Sequence, residues 1–334
     1  MTTFMSGLLT RTLLGRLGLL LLIAAVQLGV AGTARAQETL QALRVGRAIA
    51  NSWSFVPLDV GMAAGIFARH WLAIESVSFT GSARLQQGMA ANSIDVGLGS
   101  GPELAMVAKG APVIAVGAIV LSPRMTITVR ANGPIRVAAD LRGKRIGVST
   151  AASLTEWLTR ELARREGWGR DGVQAIALGS DAAQIAAMKT EQIDGLVLDV
   201  ATALRLESAG EGRIVLYFGD IIKDFIQNAA YARRDLVAAE PDRVRRFLAG
   251  WYETIAYMGT HKPESIKIAL PIVDLPSELA ARGYDEWMEA YSRDGKFDPV
   301  ALGLLAKSFV EMGLLPSEPD MSRLYTEEFL PKVR

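Results

Sequence analysis

Short apolar segments alternate with longer segments of helical spacing along most of the chain. From Leu43 to about Tyr217, each short apolar run is followed by a stretch in which apolar positions recur every three or four residues. Strands that alternate with helices in this way are typical of a parallel α/β sheet. After Pro241 the pattern changes to successive amphipathic helices separated by prolines. The pattern therefore predicts an α/β protein with a helical C-terminal part, and 334 residues are enough for two domains.

Two segments share one pattern, which indicates two domains of the same plan. Residues 79–100 and 178–199 both contain a strand end, Gly-Ser, a helix, Met, four further residues, Ile-Asp and a buried strand. Ligands of open α/β sheets bind beyond the carboxyl ends of strands, so the polar residues that follow the strands are the binding candidates. Asp95 and Asp194 precede strands, and we predict turn or capping roles for them.

The second domain is predicted to be inserted into the first. The strand Met125 to Arg130 is followed by the turn sequence Ala-Asn-Gly-Pro, which favours a crossing between domains there, and residues 225–232 favour a return. We therefore expect two doubly wound α/β lobes with two crossovers and a ligand cleft between them. The expected bounds are 37–129 and 226–334 for the first lobe and 130–225 for the second.

The N-terminus predicts export. Arg11 and Arg16 precede an apolar run from Leu17 to Val30, and Ala34-Arg-Ala36 is a small-x-small cleavage site. A membrane anchor is the alternative, but the run is shorter than the roughly 20 residues of a spanning helix. Cleavage after residue 36 would leave a soluble periplasmic chain that begins at Gln37.

Composition narrows the chemistry. The chain has no cysteine, which excludes disulfides, zinc-thiolate sites, cysteine nucleophiles and a lipid anchor on cysteine. Its two histidines, His70 and His261, lack metal-ligand spacing, so we expect no metal and no cofactor. Export would leave 33 basic and 35 acidic residues, which does not favour nucleic acid.

The turn from Ser149 to Ser153 is a candidate anion site. It follows the apolar strand Ile146-Gly-Val148 and precedes a run with helical spacing, and Ser153 with Glu156 is typical of a capped helix start. A helix N-terminus supplies free N–H groups and the positive end of the helix dipole. Gly143-Lys144 comes before the strand instead of after it, so the segment is not a phosphate-binding P-loop.

Further candidates follow other strands of the first lobe. The loop after the strand from Leu43 carries amide and hydroxyl groups that can hydrogen-bond a head group, with an indole that can form an apolar wall or belong to the core. Turns at residues 80–82 and 99–101 add backbone and hydroxyl donors. The first-lobe candidates are Asn51, Ser52, Trp53, Thr80, Gly81, Ser82 and Ser100.

The second lobe and the return crossing add the remaining candidates. These are Ser149, Thr150, Ser153 and Asp199, with Asn228 near the return crossing. Asp199 would repel an anion but could accept a hydrogen bond from an amine or hydroxyl, and a structural pairing with a neighbouring helix is the alternative. Arg47 and Arg124 are the cations predicted nearest the cleft.

Several segments together resemble ABC-transporter substrate-binding proteins of the sulfonate, taurine and thiamine-precursor type. Their order and spacing carry the resemblance, which covers nearly the whole chain after residue 36. The segments include Val60-Gly-Met-Ala-Ala-Gly-Ile-Phe67, Phe79–Ser82, Gln87-Gly-Met89, Gly110-Ala-Pro-Val113, Asp140-Leu-Arg-Gly-Lys-Arg-Ile-Gly-Val148, Ile193-Asp-Gly195 and the helix from Glu240. The sequence departs from the family pattern at Leu198-Asp-Val200, where relatives often have an aromatic residue or a proline beside the acid.

The resemblance implies a type II periplasmic-binding fold and a monomer whose lobes close on one small solute and deliver it to a membrane permease. Sulfonates, aromatic carboxylates, nitrate-like anions and pyrimidines are all compatible with the loops. An enzyme of the pyrimidine-forming or menaquinone-pathway type is the rival class. The cysteine-rich motif of the former is impossible here, and no Ser-His-Asp or paired-carboxylate motif is recognisable. A receptor coupled to a sensor is a third possibility.

Overall fold

The computed structural model describes residues 39–79, 81–151, 153–169 and 172–332. The predicted signal peptide and its cleavage site lie outside the described residues. From Gln41 onward the chain forms a compact unit. This unit contains two five-stranded sheets, so the predicted mixed α/β architecture is confirmed.

The strands and helices follow one another in the alternation that the sequence predicts. The strands are β1 (Gln41–Arg47), β2 (Leu72–Ser78), β3 (Val96–Ser100), β4 (Val113–Val120), β5 (Met125–Arg130), β6 (Arg145–Val148), β7 (Gln174–Ala177), β8 (Gly195–Asp199), β9 (Gly212–Tyr217) and β10 (Asn228–Arg233). The α-helices are α1 (Val56–Ala63), α2 (Ile66–Arg69), α3 (Ser82–Ala90), α4 (Leu104–Ala108), α5 (Leu154–Arg165), α6 (Asp181–Lys189), α7 (Val200–Ser208), α8 (Phe218–Ile221), α9 (Arg234–Ala239), α10 (Pro241–Thr260), α11 (Lys262–Val273), α12 (Ser277–Ala290) and α13 (Pro299–Glu311). Short 3-10 turns occur at Trp53–Phe55, Gly101–Glu103, Ala138–Leu141 and Met321–Arg323.

The two sheets have the same plan, as the sequence repeat predicts. The first has the strand order β2-β1-β3-β10-β4 and the second β7-β6-β8-β5-β9. The first three strands of each order are parallel to one another. The fourth strand, β10 or β5, runs antiparallel to both of its neighbours. In each sheet this antiparallel strand is the one that enters directly after a crossing.

The first crossing lies earlier than the sequence prediction placed it. The strand β5, which was assigned to the first lobe up to residue 129, pairs with β8 and β9 in the second sheet. The chain therefore changes sheets at residues 121–124. The physical reason is Pro123, which cannot continue the ladder of β4 and so ends that strand. Below, the first lobe comprises residues 41–120 and 228–332, and the second lobe comprises residues 125–221.

An arginine-aspartate clamp occurs once in each lobe. Asp95 accepts hydrogen bonds from the backbone N–H and the Nε of Arg44, both at 3.0 Å. Asp194 accepts the equivalent bonds from Arg145 at 2.9 and 3.0 Å. Each pair ties the start of one strand to the start of its neighbour. Both acids are thus structural, but they act as ion-pair clamps and not as the predicted turn or capping residues, at the edge of the sheet where the parallel strands begin.

The opposite edges of the two sheets face each other. The carboxyl ends of β1 and β3 lie beside the start of β10, because Asn228 pairs with Ser100. In the second sheet Met125 pairs with Asp199, which places the ends of β6 and β8 beside the start of β5. Short connections at residues 121–124 and 222–227 join these two edges. The space between the edges is called the cleft below.

Two C-terminal helices of the first lobe reach across to the second. From α12, Arg282 donates a 3.0 Å hydrogen bond to Glu207 of α7. From the end of α13, Glu311 accepts a 2.7 Å hydrogen bond from the indole N–H of Trp157 in α5. The helices α12 and α13 therefore contact both lobes. No helix among the residues that the structure describes is long and apolar enough to cross a membrane.

Candidate functional site

The turn before α5 forms a hydroxyl network in the second lobe. Ser153 is the N-cap of α5, as predicted, and its Oγ accepts from the N–H of Glu156 at 3.3 Å and donates to the carbonyl of Thr150 at 2.6 Å. The Ser149 hydroxyl lies 3.0 Å from Thr155 Oγ1, and Thr155 also accepts from the Ser149 N–H at 3.0 Å. The Thr150 side chain is exposed. Ser149, Thr150 and Ser153 are thus brought together, and Thr155 joins them.

Thr155 was missed at the sequence level because it lies inside the helix, where a threonine is usually unremarkable. The N–H groups of Leu154 and Thr155 donate to no described residue. Two free amide donors at a helix N-terminus, flanked by hydroxyls, suit an anionic or polar group.

Asp199 lies at the cleft edge as the last residue of β8. Its Oδ1 accepts from the N–H of Ala201 at 2.9 Å, which caps α7. No ion pair to Asp199 is found within the described ranges, so the predicted alternative of a pairing with a neighbouring helix is limited to this cap. Burial raises the pKa of Asp199 to about 6, opposed by the hydrogen bond from Ala201 and reinforced by the charge of Asp181. The half-buried carboxylate is therefore an acceptor in need of a donor.

Aromatic side chains of the first lobe lie opposite Asp199. Trp53 is buried and packs edge-on against Tyr284 of α12, with the ring centroids 6.4 Å apart. The hydroxyl of Tyr291 donates to the carbonyl of Trp53. Burial raises the pKa of Tyr291, and the charges of Tyr284 and Asp199 raise it further, which places Asp199 near this group. At 1% exposure Trp53 is a core residue in this structure, and its contact with a solute remains a prediction.

The neighbours of Trp53 in the same loop are less enclosed. Ser52 caps the 3-10 turn by accepting from the N–H of Ser54 at 3.3 Å, and it is partly exposed. Asn51 is exposed. Both follow β1 at the cleft edge, and their contact with a solute stays a prediction.

Ser82 and Ser100 meet at a buried carboxylate that sequence reasoning missed. Glu103 is 4% exposed and accepts from the N–H of Ser100 at 2.8 Å and from the Ser100 hydroxyl at 3.4 Å. The Ser82 hydroxyl lies near the same carboxylate and acts to lower its pKa. Gly81 is the N-cap of α3 in a conformation with φ of 118°, which favours glycine. Thr80 lies outside the described residues.

Asn228 is part of the cleft edge where β10 begins. Its Nδ2 donates to the carbonyl of Gly99 at 3.1 Å, while its buried Oδ1 has no partner among the described residues. A buried acceptor without a donor is uncommon in native proteins. The Asn228 Oδ1 is therefore an unpaired acceptor beside Ser100, and its contact with a solute stays a prediction.

The two predicted cations are held by acids. Arg47 pairs with Asp59 at 2.5 Å and donates to Ser78 at 2.8 Å. Arg124 lies in the first connection and pairs with Glu286 of α12 at 3.3 Å. The charge of both guanidinium groups is therefore largely neutralised. The free N–H groups at the start of α5 are the better donors for an anion. Within the described part of the chain, no cluster of three or more His, Asp or Glu side chains could hold a metal ion.

Comparison with known families and sequences gives one consistent picture. Residues 53–265 match the family model described as NMT1/THI5 like. A protein of Brucella abortus, whose name says no more than that it is a binding protein, is 26% identical over 300 residues, covering 86% of this chain and 91% of its own. A Brucella suis protein matches to the same extent.

Solved structures show the same fold. The alkanesulfonate-binding protein SsuA of Xanthomonas axonopodis pv. citri, bound to MOPS, has a TM-score of 0.70 at 20% identity, covering 86% of this chain and 99% of its own. The periplasmic aliphatic sulphonate binding protein SsuA of Escherichia coli has a TM-score of 0.73 at 20% identity, with coverages of 88% and 94%. The desulfurization enzyme DSZB, as a cysteine-to-serine variant with biphenyl-2-sulfinic acid, has a TM-score of 0.64 at 16% identity, with coverages of 87% and 97%. The architecture is that of the periplasmic binding proteins.

Proposed function

Since the chain belongs to the NMT1/THI5-like family, we propose that it is the solute-binding component of an ABC importer. It captures a small organic solute in the cleft and presents it to membrane permease subunits. The protein acts in the periplasm as a soluble monomer after removal of residues 1–36. The solute is anionic or carries an anionic head, as in a sulfonate, a carboxylate or a pyrimidine-like compound.

One observation carries this proposal: polar groups from both sheets converge on the cleft. The free N–H groups at the start of α5 and the Asp199 carboxylate come from the second lobe. The side-chain Oδ1 of Asn228 and the loop that contains Ser52 come from the first lobe. Donors and acceptors on two lobes joined by short connections suit a solute that is held from both sides.

The arrangement also gives the solute an orientation. The N-terminus of α5 favours a negative head group through its free amide donors and the helix dipole. Asp199 lies at the neighbouring strand end and repels that head group, so it faces a part of the solute that carries N–H or O–H donors. A sulfonate or carboxylate with an amine or hydroxyl group further along the molecule satisfies both, and taurine is one such compound.

An enzyme is the alternative because the desulfurization enzyme DSZB shares the fold. That enzyme was crystallised as a cysteine-to-serine variant, and this chain has no cysteine. The histidine His70 pairs with Glu253 at 2.6 Å on the surface of the first lobe, away from the cleft. A binding role is therefore favoured over a catalytic one.

A solute screen on residues 37–334 tests the proposal. Sulfonates, aromatic carboxylates, nitrate, pyrimidines and amino-substituted sulfonates are compared by thermal shift, and each positive is titrated by calorimetry. A ligand present at 100 times its Kd adds about 2.7 kcal/mol of stability, which a melting curve resolves readily. Saturable one-to-one binding without turnover supports the proposal. Conversion of a bound compound, detected by mass spectrometry, would establish an enzyme instead.

A further inference from the structure

Glu103 is a buried carboxylate that has no counter-charge in the described part of the chain. It ends the turn Gly101–Glu103 directly after β3, at the cleft edge of the first lobe. An ionised carboxylate in such a place is tolerated when hydrogen-bond donors surround it. The identity of these donors determines what the first lobe can offer a solute.

Among the described residues, each hydrogen-bond partner of the Glu103 carboxylate acts as a donor. The amide Nε2 of Gln86 and the backbone N–H of Ser100 bind its two oxygens. The Ser100 hydroxyl donates at 3.4 Å, and the Ser82 hydroxyl lies near enough to act to lower the pKa of the carboxyl group. Glycine at position 99 makes room, because a Cβ there would come within 2.5 Å of the Glu103 oxygen. The carboxylate is thus closely enclosed by α3 and the end of β3.

A serine hydroxyl has one proton to donate and two lone pairs to accept with. An ionised carboxylate accepts only, so each hydroxyl that bonds Glu103 uses its single proton there. Ser82 and Ser100 are both partly exposed at the cleft edge. They can therefore meet a solute with lone pairs only.

We propose that Glu103 is a positioning residue that makes the first-lobe wall of the cleft a hydrogen-bond acceptor. It does so by holding the protons of Ser82 and Ser100, so a solute must present N–H or O–H donors to this wall. The inference rests on the proposed function for its link to a solute, but the orientation of the hydroxyls does not. It selects solutes that carry a donor group, such as an ammonium, amidine or amino-heterocyclic group, in addition to the anionic head. Solutes that only accept hydrogen bonds are disfavoured.

Protonation of Glu103 would reverse this polarity. Burial raises the pKa of Glu103, against the lowering effect of its bonds from Ser82, Gln86 and Ser100. Besides those groups, the nearby Tyr231 donates its hydroxyl to the carbonyl of Ser100 at 2.6 Å. Below the Glu103 pKa the carboxyl group donates its own proton to one serine, which frees that hydroxyl to donate into the cleft. The acceptor wall is therefore present at higher pH and is lost as the pH falls.

Neutron diffraction from perdeuterated, solute-free crystals of residues 37–334 tests the orientation directly. The expected result is deuterium density between each of the two Oγ atoms and the Glu103 carboxylate at neutral pH. Deuterium on either hydroxyl that points into the cleft, or onto Glu103 itself, would overturn the proposal. Because no solute is needed, this outcome is independent of the importer assignment.

Glu103→Gln tests the consequence with inorganic sulfate, which only accepts hydrogen bonds. The glutamine NH₂ group can donate to a serine and free its proton, so sulfate affinity should rise about 10-fold relative to wild type. The gain should vanish when Ser82→Ala and Ser100→Ala are added, whereas a general loosening of the fold would leave it. Thermal shift against sodium chloride at equal ionic strength measures the effect. Equal sulfate affinity in wild type and a folded Glu103→Gln protein refutes the inference.

Discussion

Trp157 and Glu311 join the two lobes directly, through a 2.7 Å hydrogen bond from the indole N–H to the carboxylate. Trp157 also stacks on Phe225 of the second connection, with ring centroids 5.0 Å apart. The indole thus contacts both the first lobe and the segment about which the lobes would rotate. A rotation of the lobes that separates α5 from α13 would break the bond to Glu311.

The first prediction is that Trp157→Phe weakens solute binding. Loss of one hydrogen bond between the lobes should destabilise the closed form by on the order of 0.5–1.5 kcal/mol. The affinity for the solute should therefore fall by up to about ten-fold. Calorimetric titration with the solute found by the screen measures it. Trp251→Phe is the matched control, because the buried Trp251 indole N–H has no hydrogen-bond partner in the described part of the chain. Equal losses in both variants would contradict a role of the interlobe bond.

The second prediction separates solute contact from helix capping at the turn before α5. Thr150→Val should reduce affinity by roughly 1.5–3 kcal/mol if the threonine donates to a charged head group, with little change in melting temperature. Ser153→Ala should reduce the free energy of unfolding by about 1 kcal/mol through loss of the cap. If Thr150→Val binds as tightly as wild type while Asn51→Ala does not bind, the head group lies against the first lobe.

The third prediction concerns the pH dependence that Asp199 imposes. Its pKa of about 6 lies above the usual range, so the native state binds this proton more tightly than the unfolded chain. Stability is then lost as the pH rises through the window from about 4 to 6. Asp199→Asn keeps the cap on α7 and should gain on the order of 1–3 kcal/mol at pH 7.5 relative to wild type, but not at pH 3.5. Urea unfolding at both pH values measures the gain, and an equal effect at both would refute the charge-based explanation.

The fourth prediction compares the two clamps. Asp95 is buried and has the guanidinium groups of Arg44, Arg233 and Arg243 within 2.6, 3.4 and 3.8 Å. Asp194 is more exposed, and among the described residues it forms an ion pair only with Arg145. Asp95→Asn should therefore cost about 3–5 kcal/mol, as expected when a buried charge cluster loses a member. Asp194→Asn should cost about 1 kcal/mol. Denaturant titration of both variants measures the two losses in the free energy of unfolding. Equal losses would contradict the prediction.

The fifth prediction is the processing of the N-terminus. Export should remove Met1 to Ala36, because the basic start, the apolar run and the small-x-small site together direct signal cleavage. Intact mass of protein recovered from the periplasm should correspond to a chain that begins at Gln37. An uncleaved mass in that fraction would show that the segment is retained.

The alternation of apolar segments and the repeat around Ile94-Asp95 and Ile193-Asp194 were enough to predict two lobes of one plan. Both are local patterns, and local patterns are what a sequence displays. The bound at residue 130 was wrong because the turn sequence after β5 was taken as the crossing, whereas strand pairing shows that β4 and β5 already belong to different sheets.

The candidate site residues were chosen by the rule that polar residues after strands face a ligand, and their contact with a solute stays a prediction. This rule located Ser149, Asp199 and Ser100, but not Glu103 or Thr155. Those two lie within a turn and a helix, where their importance depends on which side chains the fold brings beside them. Which side chains surround a residue in the fold, as Ser82 and Gln86 surround the Glu103 carboxylate, cannot be predicted from the spacing of residues in the sequence.

The two connections between the lobes are fastened to each other. Gln227 donates its backbone N–H to the carbonyl of Val120 at 2.9 Å and accepts from the N–H of Arg124 through its side chain. Two connections held side by side in this way favour relative motion of the lobes as a hinge rotation. Solute binding in the cleft would then change mainly the angle between the two lobes. A partner that contacts the outer surface of both lobes could distinguish the bound from the free protein by that angle.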